Sequence, residues 1–233
     1  KKIKILNLDL PDLKKGQILV KMKFSSICHT QIQEIDGSRG KDKFLPHCLG
    51  HEATGLVIKI GKGVKKVKPR DKVCLSWVPS TGINAGGTTY YYNKKKINAG
   101  PVNTFSEYSI ISENKVHKLS SNANLKKSVL LGCAIPTAFN CIFSNTINTN
   151  KKKILIIGCG GLGLATVHAA KIVKFKDIYV YEKNKSKVKI AKKLGANHFI
   201  ETNKLSDFKD YFDYVIECSG NSDLLNQTLN LSK

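Results

Sequence analysis

Lys153-Ile154-Leu155-Ile156-Ile157-Gly158-Cys159-Gly160-Gly161-Leu162-Gly163 is a short apolar run that breaks directly into a glycine turn. The run is too short for a helix and carries only aliphatic side chains after Lys153, so it reads as a buried strand. Leu164 to Val173 continues as a helix pattern. A strand, a Gly-x-Gly-x-x-Gly turn and a helix make a cradle for a dinucleotide pyrophosphate. Gly158 permits the tight turn, Gly160 lets backbone approach the pyrophosphate, and Gly163 lets helix and strand pack closely. Gly161 and Leu162 sit at the helix start, where unpaired N–H groups and the positive dipole end meet the phosphates.

Working outward, Asp177 to Tyr181 reads as the next strand, with Glu182 at its end, nineteen residues after Gly163. An acid there accepts from the adenosine ribose hydroxyls and repels a 2′-phosphate, which favours NAD. Lys183, Lys185 and Lys187 follow and keep NADP open; Lys187 is counted among the cofactor-binding residues. Ser186 to Leu194 is a helix pattern stopped by Gly195, and Asp213 to Glu217 is another apolar strand. Strand and helix alternating at this interval mean βαβ units and a parallel sheet. Cys159 reads as a small side chain tolerated in the turn, and His168 as a packing or surface histidine.

The first half has another character. Ile18 to Phe24, Thr54 to Ile60, Lys72 to Ser76 and Ser106 to Ile111 are short strand patterns separated by glycine and proline turns. They predict a small barrel-like β domain over residues 1–145, followed by a dinucleotide-binding domain over 146–233, the pattern changing at Lys151. A helical stretch from about Leu125 to Phe143 carries Cys133, with Pro136 expected to kink or interrupt it. Three fragments stand out: Cys28-His29-Thr30, Gly50-His51-Glu52 and Gly132-Cys133. Two thiolates and an imidazole are the donor set of a zinc site with an open fourth position, the catalytic rather than the structural pattern. Zinc beside a nicotinamide cofactor points to hydride transfer between an alcohol and a carbonyl.

The 233 residues suit two domains, and 41% hydrophobic content suffices for their cores. No stretch approaches the ~18 consecutive apolar residues of a membrane span, and the N-terminus has no signal-peptide pattern. The chain begins without Met and ends at Lys233 within a helix pattern, so it reads as a fragment lacking its C-terminal part. A formal charge of +22 invites a nucleic-acid reading, but Arg39 and Arg70 are the only arginines and the lysines are spread evenly. Arginine carries the bidentate phosphate and base contacts, so a solvated lysine surface is the expectation, with neither nucleic acid nor membrane as partner. Seven cysteines, an odd number without repeated spacing, do not make a disulfide scaffold. Thiols that bind metal keep best in a reducing cytoplasm.

Together, Gly50-His51-Glu52-Ala53-Thr54-Gly55, the Cys28 fragment, Gly132-Cys133 with Thr137, and the glycine turn resemble the zinc-dependent medium-chain alcohol dehydrogenases. The resemblance runs over essentially the whole chain. It implies a GroES-like β-barrel catalytic domain followed by a Rossmann doubly wound parallel sheet, here incomplete at the C-terminus. It makes Cys28, His51 and Cys133 the zinc ligands and Glu52 a near ligand that approaches the metal during exchange. Thr30 would begin the proton path, His29 would lie near the pyrophosphate, and Thr137 against the nicotinamide. It also implies a homo-oligomer, dimer or tetramer, when the chain is complete.

Three departures from the family pattern follow. Where many relatives carry four cysteines around a structural zinc, Trp77 to Gly100 has none, so one zinc per subunit is expected, the lobe being held by packing around Tyr90, Tyr91 and Tyr92. Gln31 stands where many relatives have a carboxylate beside the metal's ligands, and such partners tune the metal. Gln33 stands where some end the proton relay with a histidine. Cys48, beside His47, is expected to be a plain buried thiol. The substrate stays open among simple alcohols, polyols, sugar-derived alcohols and hydroxymethyl thiol adducts. The competing readings are a zinc-free quinone or carbonyl reductase of the same superfamily and a non-catalytic nucleotide- or nucleic-acid-binding protein.

Overall fold

The structure is a computed structural model describing residues 3–145 and 152–233. It divides into two compact units, Lys1–Cys133 and Ala134–Lys233. The change of pattern at Lys151 lies outside the described residues.

The first unit is built on β1 (Gln17–Ser25), β2 (Glu52–Ile60), β3 (Lys72–Ser76), β6 (Tyr108–Ser112) and β7 (Val116–Lys118), in the order β6-β1-β2-β3-β7. Every neighbouring pair is antiparallel. Ile18, Val20, Ala53, Val57, Val73, Leu75, Ile111 and Val116 form one core, none more than 1% exposed. Period-2 alternation puts these side chains on one face, and burying each Ile, Leu or Val stabilises the sheet by roughly 1.5–3 kcal/mol. A helix, α1 (His29–Asp36), leads out of β1, and a short helix, α2 (Leu125–Ser128), precedes a 3-10 turn at Val129–Gly132.

The lobe from Trp77 to Gly100 ends in a hairpin of β4 (Thr88–Tyr92) and β5 (Lys95–Gly100) that the strand patterns did not reveal. Tyr90 is buried to 2% exposure against Ile97, Ala99 and Ile110, and its hydroxyl accepts from the Ile110 N–H at 2.8 Å. Tyr92 packs against the same cluster, whereas Tyr91 is 38% exposed. Packing is only part of the anchorage. The Glu113 carboxylate accepts from the N–H groups of Lys65, Lys66 and Ile83 at 2.7–3.0 Å.

The second unit holds α3 (Ala134–Asn145), β8 (Lys153–Ile157), α4 (Gly161–Ile172), β9 (Asp177–Tyr181), α5 (Lys185–Leu194), β10 (His198–Ile200), β11 (Tyr214–Glu217) and α6 (Ser222–Thr228). Its sheet is wholly parallel, in the order β10-β9-β8-β11. Ile154 and Ile156 enter a core with Val167, Ala170 and Ile178, while Leu155 and Ile157 enter another with Phe212 and Leu231. A strand covered on both faces explains why β8 is continuously apolar after Lys153 rather than alternating.

The helix expected around Cys133 breaks at Cys133 itself, whose φ of −149° and ψ of −69° are not helical. Pro136 lies in the first turn of α3, where its missing N–H has no intrahelical partner to lose. No single helix among the described residues is long and apolar enough to cross a membrane.

Candidate metal centre and cofactor turn

Cys28, His51 and Cys133 lie on three separate segments of the first unit, and each is placed by local structure. Cys28 occupies the N-cap of α1 in extended conformation, φ −92° and ψ 151°. His51 immediately precedes β2, whose first residue, Glu52, is in register with Ser76 of β3. The carbonyl of Glu52 accepts from the Ser25 hydroxyl at 3.0 Å, tying the end of β1 to the start of β2. Cys133 follows the 3-10 turn, whose Gly132 carbonyl accepts from the Ser76 hydroxyl at 2.6 Å. Only glycine fits there: a Cβ on Gly132 would come within 2.4 Å of the Leu75 carbonyl oxygen and 2.6 Å of the Glu52 Cβ.

The three ligand atoms fall within 4.8 Å of one another, and no other His, Cys, Asp or Glu group among the described residues meets that criterion. Nε2 of His51 and Oε2 of Glu52 are buried without a hydrogen-bond partner. Buried polar atoms are normally satisfied, so two polar atoms left without a partner beside two thiols are what a cation site looks like. Burial pushes His51 below its ordinary pKa against the pull of Glu52 and Glu34, which keeps the ring neutral, the form that ligates a metal. Burial, helped by the Glu52 and Cys28 charges, pushes Cys133 up to about 11; the Trp77 indole N–H donates to it and works the other way. A bound divalent cation reverses that balance and holds the sulfur as thiolate. The residues therefore fit zinc, a tetrahedral ion that takes sulfur and imidazole ligands.

Glu52 is 3% exposed at the strand start. The Cys28 sulfur lies 3.6 Å from the Thr30 hydroxyl. His29 is exposed on the first turn of α1. A cavity of about 610 Å³ opens beside His51 and is lined also by Gln31, Gln33 and His47. Cys48 lines the same cavity and is half-buried rather than buried; that burial pushes it up to about 11, and it stands outside the three-ligand group. Gln31, placed beside the ligands by the resemblance, does reach His51; two contacts were not foreseen, the Trp77 bond to Cys133 and the second grip of Gln31, on the Cys28 N–H. No pattern of spacing signals the first, because it depends on where separate segments meet.

In the second unit, the glycine turn joins β8 to α4. A Cβ on Gly163 would meet the Gly158 carbonyl oxygen at 1.9 Å, so the strand-to-helix turn closes only around glycine. Gly160 and Gly161 face open space, with no atom within 4 Å of a built Cβ, which leaves room for a phosphate against the backbone. Glu182 spans the turn: Oε2 accepts from the Cys159 N–H at 2.7 Å and Oε1 from the Asn184 N–H at 2.8 Å. Burial pushes its carboxyl up, but those N–H groups and the Lys187 charge outweigh it and hold the group below its ordinary range. Leu162 and Lys187 are exposed near the turn. Thr137 is exposed on α3. Cys159 is fully buried and pushed up to about 12 by burial, which makes it an inert thiol. His168 is exposed, its ring edge-on to Phe139 at 6.5 Å.

Known proteins resemble this chain in sequence and fold. Residues 14–121 match the alcohol dehydrogenase GroES-like domain, and residues 161–233 match the zinc-binding dehydrogenase domain. The S-(hydroxymethyl)glutathione dehydrogenase of Photobacterium damsela subsp. piscicida is 28% identical, over 97% of this chain and 70% of that protein. The Escherichia coli O1:K1 protein of the same name is 28% identical, over 98% and 71%. Among solved structures, the alcohol dehydrogenase of the archaeon Aeropyrum pernix superposes with a TM-score of 0.82 at 22% identity, covering 99% of this chain and 72% of that one. The 2R,3R-butanediol dehydrogenase of Bacillus subtilis gives 0.77 at 23%, covering 100% and 72%. Fold and site thus define a class, an oxidoreductase with a GroES-like domain and a Rossmann-type parallel sheet. The chain belongs to the zinc-dependent medium-chain alcohol dehydrogenase family.

Proposed function

We propose that this protein is a zinc- and NAD-dependent dehydrogenase that interconverts an alcohol and its carbonyl product. The observation that carries this is the convergence of Cys28, His51 and Cys133 within 4.8 Å, with His51 Nε2 bare. Bound there, zinc would supply Lewis-acid polarisation of a substrate oxygen, and a nicotinamide cofactor would supply the hydride chemistry. Cys28, His51 and Cys133 hold the ion, and Glu52 stands by as a fourth donor. Thr30, with its hydroxyl beside the Cys28 sulfur, takes the substrate proton first. Residues 1–145 carry this chemistry, and residues 146–233 carry the cofactor.

Gly158 to Gly163 cradle the pyrophosphate, with His29 and Thr137 as further cofactor contacts. Glu182, kept ionised, accepts from the ribose hydroxyls and disfavours a 2′-phosphate, so NAD is preferred over NADP despite Lys187. One zinc ion per subunit suffices, because the lobe that relatives staple with a second ion is anchored here by Tyr90 and Glu113. The substrate is a small alcohol or carbonyl compound; the names of the relatives add weight to a hydroxymethyl thiol adduct. A reducing cytoplasm and a homo-oligomeric complete protein complete the reading.

Metal analysis of the purified protein, followed by an alcohol panel read as NAD reduction, tests it. About one zinc per chain and turnover lost in Cys28→Ser are expected. Zinc near zero in metal-replete preparations, with turnover retained in Cys28→Ser, would falsify the zinc mechanism in favour of zinc-free reduction.

A further inference from the structure

Gln31 is 2% exposed and its carboxamide lies between two of the ligand segments. Oε1 accepts from the Cys28 N–H at 3.2 Å, which caps α1 from its third position. Nε2 stands 2.6 Å from His51 Nδ1. An amide NH₂ only donates, so Nδ1 is the acceptor and the neutral imidazole keeps its proton on Nε2. That nitrogen is the buried atom with no hydrogen-bond partner, the one free to take a metal, and a metal needs its lone pair. Turning the carboxamide over lets Oε1 accept from Nδ1–H and frees Nε2. The NH₂ group then meets the Cys28 N–H, donor against donor, and α1 loses the Gln31 half of its capping box. A carboxylate accepts on both sides and meets neither conflict.

We propose that Gln31 is a positioning residue whose carboxamide sets the cap at Cys28 against the metal-ready tautomer of His51. The metal-free site rests with the proton on Nε2, and the protein holds zinc less tightly than it would with a carboxylate at this position. This inference rests on the zinc reading of the three-ligand group.

Two measurements on the complete protein test it. In nitrogen-15 imidazole spectra of the metal-stripped protein, His51 is expected as the Nε2–H tautomer, moving to Nδ1–H when zinc is added. An Nδ1–H ring before zinc overturns the proposal, and this readout needs no variant. In competition against a chelator at fixed pH, Gln31→Glu is expected to bind zinc about 10- to 100-fold more tightly than the wild type. Its metal-free His51 should already be Nδ1–H. Gln31→Met, which loses both contacts, should bind more weakly than Gln31→Glu and leave the tautomer unset. Equal affinity of wild type and Gln31→Glu overturns the proposal while leaving the zinc site intact. Failure of every form to bind zinc overturns the site reading itself, and the tautomer in the metal-free spectrum still decides what Gln31 does.

Discussion

Two carboxylates are buried in the first unit to nearly the same degree, Glu113 at 2% and Glu52 at 3% exposure, and they do opposite things. Glu113 sits under the lobe with three backbone N–H groups on its two oxygens. Glu52 stands beside the ligand group with Oε2 unpartnered. A buried charge that is fully hydrogen-bonded holds structure together, whereas one left bare costs stability and is kept for what it will meet. Satisfaction, rather than burial, separates the anchor from the site.

The largest effect should come from the site. His51→Ala removes the imidazole ligand, and alcohol turnover is expected to fall by about a thousand-fold or more, the several kcal/mol a bound metal supplies. Thermal stability in the metal-free form should change little by comparison. Turnover within tenfold of wild type would break the assignment of this region to catalysis.

At the anchor, Glu113→Ala leaves three backbone N–H groups without an acceptor and should cost about 3 kcal/mol of folding stability. Denaturant unfolding of the metal-free protein measures it. The lobe around Ile83 should lose hydrogen-exchange protection first. A loss below about 0.5 kcal/mol would mean that Tyr90 packing alone holds the lobe.

The pH dependence sharpens the same contrast. Burial raises the Glu113 carboxyl, but the N–H groups of Ile83, Lys65 and Lys66 and the Lys66 charge outweigh it, so the folded value lies below the unfolded one. Its stabilisation is therefore complete above the unfolded carboxylate range and is lost as pH falls through the folded value. In Glu113→Gln that acid-side loss should shrink, seen as flatter stability against pH between about 5 and 2. An unchanged slope would assign the acid sensitivity to other carboxylates.

The smallest expected effect has the opposite sign. Glu52→Gln neutralises a bare buried charge and should stabilise the metal-free protein by about 1 kcal/mol, while zinc is held less tightly. Calorimetric melting with and without zinc separates the two. Destabilisation of the metal-free form would show that Glu52 is an anchor like Glu113.

Much of the fold was legible because its signals are local. Alternation at Ile18 to Phe24 and the aliphatic run at Lys153 to Ile157 report faces and burial through period alone, and both became strands of the expected kind. The hairpin at Thr88–Gly100 was not legible, since its tyrosines read equally well as a packed cluster; pairing with a partner strand is what makes them β4 and β5. The break at Cys133 was misplaced onto Pro136. Proline announces itself in sequence, whereas Cys133 leaves the helix because Gly132 must pass against β2 and β3.

The site divides the same way. The glycine turn is one contiguous segment, so its geometry is written in neighbouring residues. By itself the sequence determined the glycine turn, the alternating and apolar strands, and the three donor-bearing fragments. Tertiary structure decided that the donors meet, that Gln31 grips two of them, and that the Glu113 carboxylate ties Ile83 of the lobe to Lys65 and Lys66. The reason is physical: period and turn propensity act over a few residues, while a hydrogen bond between Gln31 and His51 exists only once β1, α1 and β2 have packed.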